Sequence, residues 1–533
     1  MKPIIKKISL FIFLSVIFVA CTGDFEDMNK NPQTANEVSP SLLLPKMQDY
    51  GFNNNSWEYQ VGPNLHTNLY AQYFANTAAY FNSDRYGYNN AWVNDGYWRS
   101  YYTYLPKYLN IVREQVETHP EHTYMLQVMR IISAMGAIRT TDIFGDIPYT
   151  EGGIGINQPK YDTQKDIYYD VFKELTEAVN TLKSNMEDQK AYGDEDLFFK
   201  GDYSKWIKLA NSLRLRYALR LSFIDPDKAK AEGEAALQGE LMSSNADNAA
   251  VRNSSLDEGH CLFIISYWNE YRISKTTENI MKQTSTVQDP RMPVWFGQTI
   301  GWVNGEYDVQ FQGTPNGLST SDLGLEEYRA ANNSCVWGYY AYSQWNQNEK
   351  GSRAGTPSGI VEKPMMLMNY AEVCFLKAEA AIRSWAGAGN AKDNYETGIR
   401  ASFEEGRADV ADKSLIDTSN DETYITTGFA QWNEAADFET KLKKIITQKW
   451  IAMYPNGDEA WAEFRRTGYP DLMPVAQSEE PTINPANGEF IKKLRYVDDE
   501  RRENEANALS PSNNQGQGDG LNVRVWWDTQ RYK

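Results

Sequence analysis

Long helical stripes alternate along the chain with stretches that show no period. From Ile167, apolar residues fall at Val171, Leu175, Ala178 and Leu182, the spacing of a helix with one buried face. Trp206, Ala210, Leu213, Tyr217 and Leu221 repeat the pattern, as do Phe438, Leu442, Ile445, Trp450 and Met453. Residues 121–139 and 369–385 carry similar stripes. The pattern predicts a mainly α fold, with a helical scaffold over about 92–239 and 365–470.

Within "NYAEVCFLKAEAAIRSW", the small residues Ala371, Ala378, Ala380 and Ala381 let a second helix approach closely. "AKDNYETGIRASFEEG" follows after the break "GAGN". This helix–turn–helix is similar to a tetratricopeptide hairpin, although no clean repeat recurs along the chain. From about 240 to 364 the stripes shorten. "GQTIGWVNGEYDVQFQGTPNGLSTSDLG" offers a turn signal every few residues. The region carries Trp295, Trp302, Tyr307, Trp337, Tyr339, Tyr340, Tyr342 and Trp345, too many rings for disorder. Long irregular segments inside a folded domain are commonly functional. A second irregular stretch, 475–520, contains "PSNNQGQGDG" and reads as mobile.

Residues 80–104, "YFNSDRYGYNNAWVNDGYWRSYYTY", combine both characters. Trp98, Tyr101, Tyr102 and Leu105 lead at helical spacing into Leu109 and Val112, a buried helix face. Before them, Tyr86, Tyr88 and Trp92 alternate with Asp84, Asn89 and Asn90 in a predicted loop. Ring faces stack on the C–H face of a pyranose and amides bond its hydroxyls, so Tyr86, Tyr88, Asn89, Asn90 and Trp92 are candidate ligand contacts. Simple packing is the competing reading for each ring.

Composition narrows the function. The 533 residues carry a formal charge of −18, against the basic face that nucleic-acid binding needs. No G-x-S-x-G, H-E-x-x-H or Walker A arrangement occurs. Carboxylates are numerous, so spacing alone leaves a glycosidase-like pair open, and a helical Trp-rich chain also suits an α/α-toroid enzyme. Cleavage of a labelled oligosaccharide would separate that reading from binding. His66, His119, His122 and His260 are scattered, and no Cys/His spacing points to zinc or any other metal. No cofactor is expected.

The N-terminus carries Lys2, Lys6 and Lys7, then an apolar run from Ile8 to Ala20 that is too short to span a bilayer. Residues 1–20 read as a signal peptide. "FVAC" resembles a bacterial lipobox, which implies cleavage before Cys21 and lipidation of its sulfur. Residues 21–37 read as a polar tether. With Cys21 acylated, Cys261, Cys335 and Cys374 remain, so at least one thiol is unpaired. A Cys261–Cys335 disulfide stays open, and Cys374 reads as a small buried apolar residue.

Seven stretches, in order, carry a family resemblance: "DIFGDIPYTEG" (142–152), "DYSKWIKLANSLRLRYAL" (202–219), "DPRMPVWF" (289–296), "QGTPNGL" (312–318), "LMNYAEVCFLKAEAA" (367–381), "ITQKWIAMYPNGDEAWAEFRRTGYPDL" (446–472) and "VWWD" (525–528). Together they resemble the SusD/RagB outer-membrane lipoproteins of Bacteroidota. The resemblance implies a single SusD-like domain over 38–533, anchored to the outer membrane and exposed at the cell surface. It implies a non-enzymatic receptor that captures a glycan and passes it to a SusC-like TonB-dependent transporter. A peptide ligand, as on the RagB side of the family, is the alternative, and a structural surface protein is a third reading. The family's site draws on the first loop region together with central loops, which adds Trp302, Trp337, Tyr339 and Tyr340 to the candidates. The motifs themselves read as structural. Gly145 supplies an unusual backbone angle, Asp142 and Asp146 satisfy turn amides, Arg465 and Arg466 bond carbonyls or carboxylates, and "VWWD" pins the C-terminus.

Overall fold

The computed structural model describes residues 38–252, 270–283, 286–306, 308–329, 332–336, 364–408, 410 and 413–532. Cys21, Cys261, Trp337, Tyr339 and Tyr340 lie outside the described residues, as do the signal peptide and tether.

The predicted stripes are helices. In chain order the longer ones are α1 (Pro40–Asp49), α2 (Arg99–Val116), α3 (Thr123–Phe144), α4 (Gln164–Leu182), α5 (Tyr203–Arg220), α6 (Pro226–Leu237), α7 (Tyr370–Ile382), α8 (Ala391–Ala408), α9 (Phe438–Ala452) and α10 (Gly457–Thr467). Several start where a short polar side chain takes up a first-turn N–H. Thr163 accepts from Asp166 in α4, Asp202 from Ser204 and Lys205 in α5, Asn369 from Glu372 in α7, and Asp437 from Thr440 in α9. α10 stops at Gly468, whose φ of 78° is the left-handed cap that favours glycine. α4 buries Ile167, Val171, Leu175, Ala178 and Leu182, and α2 buries Tyr101, Leu105, Leu109 and Val112.

α3 packs between α2 and α4, and α5 packs on α4, α6 and α7. α7 lies against both α8 and α9. The hairpin approach is as close as its small residues allow. Ala371 and Ala378 have no exposed surface, and a Cβ on Gly398 would lie 2.8 Å from the Phe375 ring. Cys374 is buried in the same hairpin. Among the described residues, two antiparallel strand pairs join the helices. β1 (Phe74–Asn76) pairs with β3 (Tyr271–Ile273), and β2 (Ala249–Val251) with β4 (Met365–Met368).

Charged residues inside the fold join four of these helices. Arg216 of α5 forks onto Glu372 of α7, and Arg220 of α5 reaches Glu459 at 2.6 Å and Glu463 at 2.8 Å on α10. Arg466 of α10 bonds both oxygens of Glu379 on α7 at 2.7 Å, and Lys449 of α9 lies 3.3 Å from Glu463. Arg465 donates to the carbonyls of Asp142 and Lys492. The two arginines thus bond carbonyls and carboxylates, as expected.

Two expectations need correction. Asp142 and Asp146 serve distant partners rather than their own turn. Asp146 accepts from the N–H of Gln164 at 2.8 Å and of Asn514 at 2.7 Å, and Asp142 accepts from Tyr168 and Trp527, each at 2.7 Å. The stretch "PSNNQGQGDG" is therefore tied down. Asn514 is buried, with φ 50°, and a Cβ on Gly145 (φ 81°) would sit 1.9 Å from its Oδ1. Trp527 of "VWWD" has no exposed surface and lies under the Arg220 and Arg465 guanidinium groups.

Candidate ligand-binding surface

Two short helices, Ser56–Tyr59 and Asn90–Val93, each run directly into a five-residue π turn, Gln60–Asn64 and Asn94–Trp98. The second turn continues into α2. Extra-residue turns of this kind re-aim the side chains around them and are frequent at functional sites. The first pair carries Trp57 and Gln60, the second Trp92 and Asp95.

These side chains close a ring of contacts with the 76–81 segment and the start of β3. Trp57 is half exposed, at 50 %, and its indole N–H lies 3.4 Å from Asp95. Trp92 meets Phe81 edge-on at 5.6 Å, and Phe81 stacks on Tyr271 at 5.9 Å. Tyr80, 69 % exposed, packs against Phe81 at 4.6 Å and donates its hydroxyl to Glu270. Gln60 donates to the other oxygen of Glu270 at 3.1 Å, which returns the circuit to the Trp57 helix. Partial burial and the Glu270 carboxylate push the Tyr80 phenol up to about 12, so it stays a donor at neutral pH. The result is a face with two outward rings, Trp57 and Tyr80, a half-buried indole between polar groups, and two carboxylates, Asp95 and Glu270, the second held from behind by the buried Gln60 amide.

The predicted loop residues fall into separate roles. Trp92 belongs to this face. Asn89 caps its helix by accepting from the Trp92 N–H, and Asn90 accepts from the N–H of Asp498. Tyr88 lies beneath the Arg495 guanidinium at 4.0 Å and donates to the Arg495 carbonyl. Asn89, Asn90 and Tyr88 thus fasten the loop to itself and to the 495–498 segment. Tyr86 requires correction: it is 3 % exposed, with φ 60°, and its ring packs edge-on against Tyr70 in the core. Trp302 is 40 % exposed on a separate short helix, Ile300–Val303, whose N–H at Trp302 is taken up by Thr299. Sequence reasoning missed Trp57, Gln60, Tyr80, Asp95 and Glu270. Tyr80 stood in the aromatic stretch, but nothing local to Trp57 or Glu270 marks them, because their partners are distant in sequence.

Rings that stand clear of the surface, with amides and carboxylates between them, suit a polyhydroxylated ligand: apolar C–H faces stack and hydroxyls bond. Among the described residues no group of three or more His, Cys, Asp or Glu side chains is arranged to hold a metal ion, and no helix is long and apolar enough to cross a membrane.

Comparison with known proteins agrees over almost the full length. No curated protein resembles the chain closely enough to count as a match. Among solved structures, a chitin-binding SusD homologue from Flavobacterium johnsoniae superposes with a TM-score of 0.75 at 27% identity, covering 92% of this chain and 98% of that one. A SusD homologue from Bacteroides thetaiotaomicron gives 0.73 at 26% identity, with 93% and 100% covered. One from Parabacteroides distasonis gives 0.77 at 26% identity, with 92% and 98% covered. The family model described as SusD-like, SusD and RagB outer membrane lipoprotein, matches residues 24–528, and the chain belongs to that family.

Proposed function

We propose that this protein is a surface receptor without catalytic activity that captures oligosaccharides on the Trp57–Trp92–Tyr80 face and hands them to a SusC-like TonB-dependent transporter. The observation that carries the reading is the pair of exposed rings, Trp57 and Tyr80, flanking Asp95, Gln60 and Glu270. A sugar face fits a flat ring bordered by hydrogen-bonding groups. Similarity to a chitin-binding homologue supports a glycan rather than a peptide, and β-linked N-acetylhexosamine oligomers are the first class to test. Trp302 and, from outside the described residues, Trp337, Tyr339 and Tyr340 are proposed as a second set of contacts.

A glycan and peptide array with purified protein, followed by calorimetric titration of the best hits, tests the reading. The expected result is binding to oligosaccharides with no cleavage of a labelled chain. Binding confined to peptides, or turnover of the oligosaccharide, would overturn it.

A further inference from the structure

The two π turns that carry the aromatic face meet backbone to backbone at Gly62 and Gly96. A Cβ added to Gly96 would lie 2.4 Å from Gly62 Cα and 2.5 Å from Gly62 N, and one added to Gly62 would lie 2.9 Å from Gly96 O. Real Cβ atoms do not approach backbone that closely, so any side chain at either position forces the turns apart. The crossing is held from both sides. Asn53 Nδ2 donates to the Gly96 carbonyl at 2.7 Å, and His66 Nδ1 lies 3.2 Å from the Gly62 carbonyl. The His66 ring is wedged edge-on against Tyr70 and Tyr97. Trp57 and Gln60 precede Gly62, and Trp92 and Asp95 precede Gly96, so each partner in the crossing carries one side of the face.

We propose that Gly62 and Gly96 are positioning residues for the ligand: their backbone contact sets the spacing between Trp57 and the Trp92–Tyr80 side of the face. This rests on the face being the glycan site. A stacked sugar tolerates little displacement of its platform, so a shift of a few tenths of an ångström at the crossing is carried to the rings as lost complementarity.

Fluorine NMR of the full chain labelled with fluorotryptophan tests it. The Trp57 and Trp92 resonances are assigned with Trp57→Phe and Trp92→Phe. Gly96→Ala is expected to move both and leave Trp432 in place. Gly398→Ala, whose Cβ would lie 2.8 Å from the Phe375 ring in the α7–α8 hairpin where Trp432 packs, is expected to do the reverse. With N-acetylchitohexaose as probe, Gly96→Ala should weaken binding by about tenfold or more, equivalent to ~1.4 kcal/mol, and Gly398→Ala should not. If Gly96→Ala does not fold, Asn53→Gly carries the same test: it deletes the amide that holds the Gly96 carbonyl, together with that amide's bonds to Ser100 and Arg139, and suits the left-handed φ of 62° there. Unmoved Trp57 and Trp92 resonances in a folded variant, or equal losses of affinity in Gly96→Ala and Gly398→Ala, would overturn the proposal. A parent chain that binds no oligosaccharide counts against the glycan reading, whereas the fluorine resonances decide the crossing.

Discussion

Trp57 and Trp206 are both indoles, yet the first is half exposed and the second has no exposed surface. Trp206 stacks on Phe198 at 5.4 Å and donates to Asp196 at 2.9 Å. Truncating it to alanine should cost about 3–5 kcal/mol of stability. Trp57→Ala should leave the melting temperature in place and weaken ligand binding by about 1–3 kcal/mol. Tyr86→Ala belongs with Trp206. Calorimetric titrations run beside thermal melts read both quantities, and early unfolding of Trp57→Ala with unchanged binding would place that ring in the core. His66 gives a second prediction at this scale. Burial pushes its imidazole from 6.5 down to about 4. The unfolded chain takes up a proton below 6.5, so the contribution of His66 is full above that pH and falls as pH drops toward 4. At about 1.36 kcal/mol per pH unit, the parent should lose roughly 2 kcal/mol more than His66→Asn between pH 6.5 and 5. Equal losses in urea melts would mean that His66 is charged in the fold. Sequence alone separated striped rings from unstriped ones, which was enough to place Trp206 and Trp98 in the core. It could not tell Tyr86 from Tyr80, because exposure is decided by Tyr70 in one case and Glu270 in the other.

The helices were legible because a one-sided stripe is a local signal, as from Ile167 to Leu182 or from Trp206 to Leu221. The π turns were not, since Gly62 and Gly96 acquire meaning only when they meet. Nor was the anchoring of "PSNNQGQGDG", which depends on Asp146 far upstream. The buried ion network is likewise a product of assembly, and it makes a prediction for the elements it joins. Glu463 faces Arg220, Arg466 and Lys449 with almost no exposed surface, and these cations overcome its burial and hold its carboxyl well below the usual range. Glu379 and Glu459 are lowered in the same way. A depressed folded pKa stabilises above the ordinary carboxylate value and loses that contribution as pH falls through it. Burial raises Asp142 and Asp146, and these act in the opposite sense. Glu463→Gln leaves buried cations undercompensated and should cost about 3–5 kcal/mol at pH 7. The parent should also lose stability more steeply than this variant below about pH 4.5. Matching acid profiles would show that the network is not what holds α5, α7, α9 and α10 together.

At the scale of the whole molecule, the core cluster runs from Leu43 to Tyr532, so the candidate face is built on a body that draws on both ends of the described residues. The 21–37 segment between that body and the proposed anchor at Cys21 reaches at most about 55–60 Å when fully extended. On the proposed function, such a tether would keep the receptor near its transporter and raise the local concentration of one for the other. Capture and delivery are therefore separable. Cys21→Ala should fold, bind the array's best oligosaccharide with parental affinity, and yet leave the outer-membrane fraction and support little uptake. A single acyl chain gives only marginal membrane binding, so the multiple chains implied at a lipobox cysteine are what make retention firm. Labelled fatty acid, fractionation and uptake of a fluorescent oligosaccharide measure the three consequences. If Cys21→Ala still incorporates fatty acid, the anchor lies elsewhere. If it takes up no fatty acid yet stays in the outer-membrane fraction with uptake undiminished, contact with the transporter alone retains the receptor, and copurification in mild detergent should then recover the two proteins together without the lipid.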